Sequence, residues 1–273
     1  MNSKLIILAD IEKDNSSLFS FSIQFALITR LEIVILYQHI PVIPSTISST
    51  ERTKLIKSSA AAARRKIEKL SRSFISKGLK TKISITRNDL DKEISERYNK
   101  EDILVLSLNE RNSIFKKFLP VKTAIPVINN LSNTIICIPE GEKDVDFFKW
   151  KVAVQRSNPL DVHELNRILK LTQDGASEIR FFSVIDEQEA QNEVTAYLKE
   201  LTDYFHNDND IKAGFDILEG KDVFDSIKNL MQNYPNEFLV LQKGSRLLTD
   251  KIFRKFLITA IVKDAKIPLI VIG

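Results

Sequence analysis

The sequence predicts a doubly wound α/β protein built from two similar units, each a five-stranded parallel sheet with helices on both faces. Short, continuous apolar runs of the kind that form buried strands alternate with longer amphipathic segments. The same succession of runs occurs in residues 1–146 and again in residues 147–273, which indicates an internal duplication. Right-handed crossovers then favour the strand order 3-2-1-4-5 in each unit, with the chain reversing direction between strands 1 and 4.

The first unit contains five predicted strands, of which the third alternates polar and apolar residues and suits a sheet edge. The strands are Lys4–Asp10, Glu32–Ile40, Lys82–Arg87, Asp102–Leu108 and Thr134–Pro139. The predicted helices are about 16–29, with Ser16 or Ser17 as its cap, then 51–77, 91–99 and 114–129. The second helix has an apolar stripe on a 3.6-residue period, and Gly78 ends it: Ile56, Ala60, Ala63, Ile67, Leu70 and Phe74.

A polar segment, Gly141–Asp146, is the predicted boundary between domains 1–146 and 147–273. The second unit then repeats the order of the first. Its predicted strands are Trp150–Gln155, Glu178–Ile185, Lys212–Leu218, Glu237–Leu241 and Ile267–Ile272. Its predicted helices are Pro159–Gln173, Glu189–His206, Asp222–Asn233 and Leu247–Asp264.

The charge is unevenly divided between the two units. Residues 1–146 hold 23 Lys+Arg and 17 Asp+Glu, a net charge of 23 − 17 = +6, whereas residues 147–273 hold 17 and 19, a net charge of 17 − 19 = −2. Much of the basic excess lies in Arg52–Lys82. Because no aromatic residues are interleaved with these charges, a solvated helix face is favoured over a nucleic-acid site, and nucleic acid is not an expected partner.

Several function classes are disfavoured by what the sequence lacks. The single cysteine, Cys137, lies in an apolar run, which predicts a core thiol and a reducing cytoplasm. No segment approaches the ~20 apolar residues of a membrane span, so no membrane association is expected. The three histidines, His39, His163 and His206, lack metal-site spacing, and no catalytic or metal-binding residues are predicted.

The candidate ligand-binding residues lie at the two crevices where the strand order reverses. In the first unit the crevice is formed by the loop after strand 1 and the loop after strand 4, with His39 at the end of strand 2. In the second unit it is formed by the corresponding loops. The candidates are Asp10, Ile11, His39 and Asn109 in the first unit, and Gln155, Ser157, Gln242, Gly244, Ser245 and Arg246 in the second.

Asp10 and Gly244-Ser245 each allow two interpretations. An acid at the end of strand 1 can hold a ribose hydroxyl, but Asp10 can equally begin a turn with Asn15 and Ser16. Gly244-Ser245 with Arg246 can bind an anion at a helix start, although a plain turn and N-cap is favoured.

These patterns resemble the universal stress proteins in their tandem form. The run ILAD ending at Asp10 is similar to the first strand of that family and its nucleotide-contacting aspartate. EIVILYQHIPVIP and IPLIVIG resemble its second and closing strands. The resemblance implies two flavodoxin-like (adenine nucleotide α-hydrolase-like) domains that pair through their fifth strands as an intrachain pseudo-dimer.

The glycine pattern departs from that of the ATP-binding members. They carry Gly-x-x-Gly and then Gly-Ser/Thr after strand 4, whereas Leu108–Lys122 contains no glycine and only Gly244-Ser245 remains in the second unit. The expected function is therefore a non-catalytic stress-response, ligand-binding or regulatory protein without a cofactor. The alternative is an ATP- or AMP-binding member with slow ATPase or autophosphorylating activity. A homodimer and a regulated protein partner are left open.

Overall fold

The computed structural model describes residues 3–11, 14–41, 43–44, 46–107, 127–128, 130–139, 145–172, 178–185, 191–209, 211–220, 222–243 and 267–273. Ten strands and six helices are named within these ranges. The strands are β1 (Lys4–Leu8), β2 (Glu32–Gln38), β3 (Thr81–Thr86), β4 (Ile103–Ser107), β5 (Ile135–Ile138), β6 (Asp146–Ala153), β7 (Glu178–Ile185), β8 (Lys212–Glu219), β9 (Glu237–Gln242) and β10 (Leu269–Ile272). The helices are α1 (Ser16–Thr29), α2 (Ser49–Ile75), α3 (Leu90–Arg97), α4 (Val162–Leu171), α5 (Gln191–Asn209) and α6 (Val223–Gln232).

All ten strands form one sheet in the order β3-β2-β1-β4-β5-β10-β9-β6-β7-β8. Each half therefore has the predicted order 3-2-1-4-5, and its strands pair in parallel. The halves meet where β5 and β10 pair antiparallel, with Ile136 opposite Ile270. The predicted fold class and the pairing through the fifth strands are both confirmed. The division into domains 1–146 and 147–273 remains a prediction, because a continuous sheet crosses it.

The core lies in two layers, one on each face of the sheet. Alternating strand residues such as Leu5 and Ile7 pack with the helices of one layer, α1, α2, α4 and α5. Strand residues such as Ile6 and Leu104 pack with the other layer, which includes α3, residues 127–131 and α6. This arrangement follows from the period of two along a strand, which sends successive side chains to opposite faces. Burial of the inner strands on both faces explains why the sequence shows continuous apolar runs there, whereas the edge strands β3 and β8 are mostly half-buried.

An aromatic cluster joins the halves on the first face. The Phe21 ring of α1 stacks on Phe147 of β6, with 5.2 Å between ring centroids. Phe238 of β9 contacts Phe21, Phe147 and Trp150 at centroid distances of 6.0, 6.1 and 5.9 Å. Phe238 and Trp150 are each 1% exposed. Helix α1 of the first half is thus packed directly on strands of the second half.

A polar cluster joins the halves through α4. The Arg167 guanidinium donates to both Glu164 carboxylate oxygens at 2.8 Å and to the Glu101 carbonyl oxygen at 2.9 Å. The buried Thr134 hydroxyl, which precedes β5, donates to Glu164 Oε1 at 2.5 Å. Burial raises the pKa of Glu164, but the hydrogen bonds from Arg167 and Thr134 outweigh it and leave the pKa below its usual value. One junction contact is therefore apolar and the other is charged.

Three local expectations are corrected. Helix α1 has Asn15 as its N-cap residue rather than Ser16 or Ser17, because the Asn15 amide turns back to the preceding loop. Strand β6 begins at Asp146, four residues before the predicted start, after which the register shifts between Asp146 and Trp150. Within the apolar stripe of α2, Ala63, Ile67 and Phe74 are buried, while Ile56, Ala60 and Leu70 are half-buried. Gly78 has the left-handed conformation (φ +76°) expected of a glycine after a helix.

Candidate functional site

The turn after β1 holds Asp10 through a side-chain amide. The Asp10 N–H donates to Asn15 Oδ1 at 3.3 Å, and Asn15 Nδ2 donates to the Asp10 carbonyl at 2.7 Å. Asn15 is 6% exposed, and Ile11 is also buried. An asparagine that satisfies both backbone groups of a loop residue closes a compact turn. The turn interpretation of Asp10 is thus supported for its backbone, and the role of its carboxyl group toward a ligand remains a prediction.

His39 is buried against helix α2 at the end of β2. Its Nε2 lies 3.0 Å from Ser59 Oγ, and the Ser59 hydroxyl donates to the Ile56 carbonyl at 3.0 Å. Because the hydroxyl hydrogen is used in that way, the Ser59 oxygen accepts from an Nε2–H. Burial, and then the nearby Arg87 charge, lower the pKa of His39. The neutral imidazole therefore fastens α2 to the strand end, whereas His163 and His206 are exposed as predicted.

The first strand of the second half, β6, ends with the same backbone hydrogen bonding as β1 but is followed by a different side chain. The Ala9 N–H bonds the Leu36 carbonyl at 3.0 Å, and the Val154 N–H bonds the Phe182 carbonyl at 2.9 Å, so Ala9 and Val154 are equivalent. Gln155 therefore stands where the first half has Asp10, as the sequence indicated. Gln155 bridges to Asn158, and Ser157 is exposed in the turn between them. The second strand end consequently has an amide in place of a carboxylate.

Gln242 spans the crevice of the second half. Its Oε1 accepts from the Asp161 N–H at 2.6 Å, and its Nε2 donates to the Pro159 carbonyl at 2.9 Å. The two contacts join the end of β9 to the loop after β6, which is the gap that a ligand would enter. The structure thus places the predicted residue Gln242, at the end of β9, against the loop that begins at the predicted residue Gln155. It also shows that the Gln242 amide is engaged by the protein itself.

Two residues that shape this loop were not predicted as site residues. Asp161 caps α4, with its carboxylate accepting from the Glu164 N–H at 2.9 Å. The Tyr197 hydroxyl of α5 accepts from the Leu160 N–H at 2.8 Å. An Asp-x-x-Glu pattern before an apolar helix signals the cap, but nothing in the sequence signals the tyrosine contact. Asn109, Gly244, Ser245 and Arg246 lie outside the described residues, as does the predicted helix Leu247–Asp264.

Lys243 follows Gln242 and reaches the other half of the molecule. Its Nζ donates to the Leu131 carbonyl oxygen, in the segment before β5. Burial lowers the pKa of Lys243 to about 8, with the nearby Cys137 opposing the shift. Burial also raises the pKa of the Cys137 thiol to about 12, which confirms the prediction of an unreactive core cysteine. The Lys243 amine is therefore partly neutral and partly buried, and its hydrogen bond to Leu131 connects the two halves.

We expect Lys243 to impose a pH dependence on stability. Its pKa in the folded protein, about 8, is below the usual 10.5, so the unfolded chain binds more protons between these values. The free energy of unfolding of the wild type should therefore rise, relative to that of Lys243→Met, between about pH 8 and pH 10. Urea unfolding at several pH values measures the difference. The exposed Lys199→Met is the control, and superimposable wild-type and Lys243→Met profiles would contradict the expectation.

Two classes of site find no support in the described ranges. They contain no group of three His, Cys, Asp or Glu side chains placed to hold a metal ion. No helix among them is both long enough and apolar enough to traverse a bilayer.

Comparisons with known proteins agree with this geometry. A universal stress protein from Archaeoglobus fulgidus DSM 4304 is similar at a TM-score of 0.71 and 16% identity, over 100% of this chain and 99% of that one. This chain has the universal stress protein fold. The predicted resemblance is thereby confirmed in the architecture.

Two further solved structures are similar in fold to this chain at lower TM-scores. A functionally unknown protein from Pseudomonas aeruginosa PAO1 matches at a TM-score of 0.61 and 12% identity, over 99% of this chain and 92% of that one. The cytoplasmic domain of a prokaryotic cation chloride cotransporter matches at 0.52 and 10%, over 99% and 95%. No protein-family model matches the sequence, and no curated protein is similar to it. The likeness is therefore one of fold.

Proposed function

We propose that this chain is a cytoplasmic, non-catalytic stress-response protein with tandem domains, 1–146 and 147–273, acting by ligand binding or regulation rather than as a strong ATP binder. The proposal rests on the contacts of Gln242 and the identity of Gln155 in the crevice of the second half. Gln242 bonds Pro159 and Asp161 across it, and Gln155 replaces the acid at the strand end. A triphosphate entering there would have to break two protein hydrogen bonds and would meet an amide in place of the strand-end carboxylate that can hold a ribose hydroxyl.

The first half offers an acid but no glycines. Asp10 is held in place by Asn15 at the end of β1. Phosphates rest on backbone N–H groups that glycines expose, and the sequence from Leu108 to Lys122 has none. Each half thus retains a different part of a nucleotide site. This division supports weak binding of a small ligand, with no catalytic residues and no cofactor.

We expect titration calorimetry to give dissociation constants no tighter than about 1 mM for ATP and AMP, a binding free energy near −4 kcal/mol. Native mass spectrometry of the purified chain should show it without nucleotide and should give the subunit count. ATP retained through purification would overturn the proposal and favour the alternative, an ATP- or AMP-binding protein with slow ATPase or autophosphorylating activity. Asp10→Ala and Gln155→Ala would then show which half holds the nucleotide.

A regulatory role toward a protein partner is the second candidate. The observation that favours it is the likeness in fold to the cytoplasmic domain of a cation chloride cotransporter, over nearly the full length of both chains. In that role the molecule acts through its surface, and no ligand in the crevices is required. Recovery of one stoichiometric protein partner with the intact chain would support it. Calorimetric binding of a nucleotide at micromolar concentrations would favour the ligand-binding role instead.

A further inference from the structure

The connection from the second strand to the following helix is much longer in the first half than in the second. From the end of β2 to the first buried position of α2, Ala63, the distance is 63 − 38 = 25 residues. From the end of β7 to the corresponding Val194 it is 194 − 185 = 9 residues. These positions correspond because Phe74 and Phe205 are both buried and both lie seven residues before the next strand. Counted from the equivalent strand positions Leu36 and Phe182, the connections are 63 − 36 = 27 and 194 − 182 = 12 residues, so the first half carries an insertion of 27 − 12 = 15 residues.

Much of this insertion forms the first turns of α2, which are held by local contacts rather than by the core. Ser48 and Glu51 form a capping box, with the Glu51 carboxylate accepting from the Ser48 N–H at 3.0 Å. His39 holds the third turn through Ser59. No residue from 49 to 62 is buried. The insertion is thus a stable helical extension whose outer surface is not used inside the molecule.

The charge of α2 is opposite to that of its counterpart. Helix α2 contains eight basic and two acidic residues, a net charge of 8 − 2 = +6. Helix α5 contains one basic and four acidic residues, a net charge of 1 − 4 = −3. The basic ridge, which we define as Lys54, Arg65, Lys69 and Arg72, lies opposite the buried stripe on a 3.6-residue period and is exposed. No ion pair involves Lys54, Lys69 or Arg72 in the described part of the chain.

Exposed apolar side chains accompany the ridge. Leu55, between Lys54 and Lys57, is 44% exposed, and Ile75, the last residue of α2, is 61% exposed. A nucleic-acid duplex would neutralise the charges but leave these side chains without apolar contacts, and Phe74, the one aromatic residue of α2, is buried and unable to stack on bases. Two leucine-sized side chains are also too few for insertion into a lipid surface, which requires a broad apolar helix face. A mixed basic and apolar surface best matches an acidic amphipathic helix.

We propose that the outer face of α2, namely the basic ridge with Leu55, is a docking surface for an acidic amphipathic helix of a partner protein. Lys54 and Arg72 are 18 positions apart, which corresponds to about 27 Å along a helix. A partner helix of about five turns with acidic residues on one face would pair with the ridge, and an apolar residue beside them would cover Leu55. This surface operates independently of any small ligand in the crevices.

The test uses a synthetic helical peptide of about 28 residues, with Glu at positions i, i+4 and i+7 and two Leu on the adjoining face. Fluorescence anisotropy at low ionic strength should show binding that weakens with added salt. Lys54→Glu/Lys69→Glu in the full chain should weaken it by at least about tenfold, because two attractions become repulsions. Lys170→Glu/Lys199→Glu changes the net charge equally in exposed second-half positions and should change the affinity by less than about twofold. Circular dichroism checks that each variant is folded.

Three results would overturn the proposal. The first is the absence of peptide binding, or equal binding by a peptide with every Glu replaced by Gln. The second is an equal loss of affinity in the two double variants, because the effect would then come from net charge and not from this surface. The third is that a 30-base-pair DNA duplex or phosphatidylglycerol vesicles bind more tightly than the peptide, and that the Lys54→Glu/Lys69→Glu variant abolishes this binding. That result would assign the ridge to nucleic acid or lipid.

Discussion

Replacing Phe238 by alanine is expected to be among the most destabilising single changes in this protein, at about 3–5 kcal/mol. Its ring is 1% exposed and contacts Phe21, Phe147 and Trp150, so truncation leaves a cavity lined by residues of both halves. For a chain of this size each kcal/mol corresponds to roughly 2–4 °C in melting temperature. Thermal unfolding followed by circular dichroism should therefore show a decrease of roughly 6–20 °C.

Leu27→Ala is the matched control for that experiment. Leu27 lies on α1, the helix that carries Phe21, but is 50% exposed, so its truncation should change stability by less than about 0.5 kcal/mol. A combined Phe21→Ala/Phe238→Ala variant should lose less than the sum of the single effects, because both rings line the same cavity. A loss below about 1 kcal/mol for Phe238→Ala would mean that the junction does not depend on aromatic packing.

Removal of the Arg167 guanidinium should have the second-largest effect, about 1–3 kcal/mol. Its side chain and that of Glu164 are only 25% and 20% exposed, so Arg167→Ala leaves a largely buried carboxylate without its two hydrogen bonds. Arg64→Ala, which breaks an ion pair whose side chains are 60% and 53% exposed, should stay within about 0.5 kcal/mol. Urea unfolding at neutral pH measures both.

Acidification provides an independent readout of the same cluster. Because the pKa of Glu164 is lowered in the folded protein, its stabilising contribution is present above the unfolded pKa and is lost as the pH falls through the folded pKa. The difference in unfolding free energy between the wild type and Glu164→Gln should therefore shrink below about pH 4. A constant difference down to pH 3 would show that the contact is not electrostatic.

The strands could be predicted closely because most are buried on both faces. Strand β7 has the bounds predicted from its apolar run, Glu178–Ile185. The start of strand β6 was placed too late because the charged residues Asp146 and Lys149 lie among its first four residues. A third charged residue, Lys151, falls inside the predicted strand but is not at the surface. Lys151 is buried at 5% exposed, beside Glu237 at 3.4 Å and under the Tyr234 ring at 3.9 Å. Because Glu237 is far from Lys151 in the sequence, the sequence alone gives no sign that this lysine is buried and paired.

The contacts of the candidate site residues were harder to predict, because they also join residues that are far apart in the sequence. Gln242 could be placed at a strand end, since strand ends follow from the apolar pattern. Its partners, Pro159 and Asp161, are about 80 positions away in the chain, and only the folded sheet brings them together. The same applies to Arg167, whose contacts with Glu101 and Thr134 depend on how the halves meet. Local periodicity predicts elements, whereas the chemistry between them depends on tertiary contacts.

The antiparallel pairing of β5 with β10 determines at which edge of the sheet the strands of each half end. It reverses the strand direction in the second half, so the carboxyl ends of the strands in the two halves lie at opposite edges of the sheet. The proposed partner beside Lys54 and Leu55 would approach the edge at which β1 ends, whereas Gln242 lies at the opposite edge. A protein bound at the first edge therefore need not touch the strand ends of the second half.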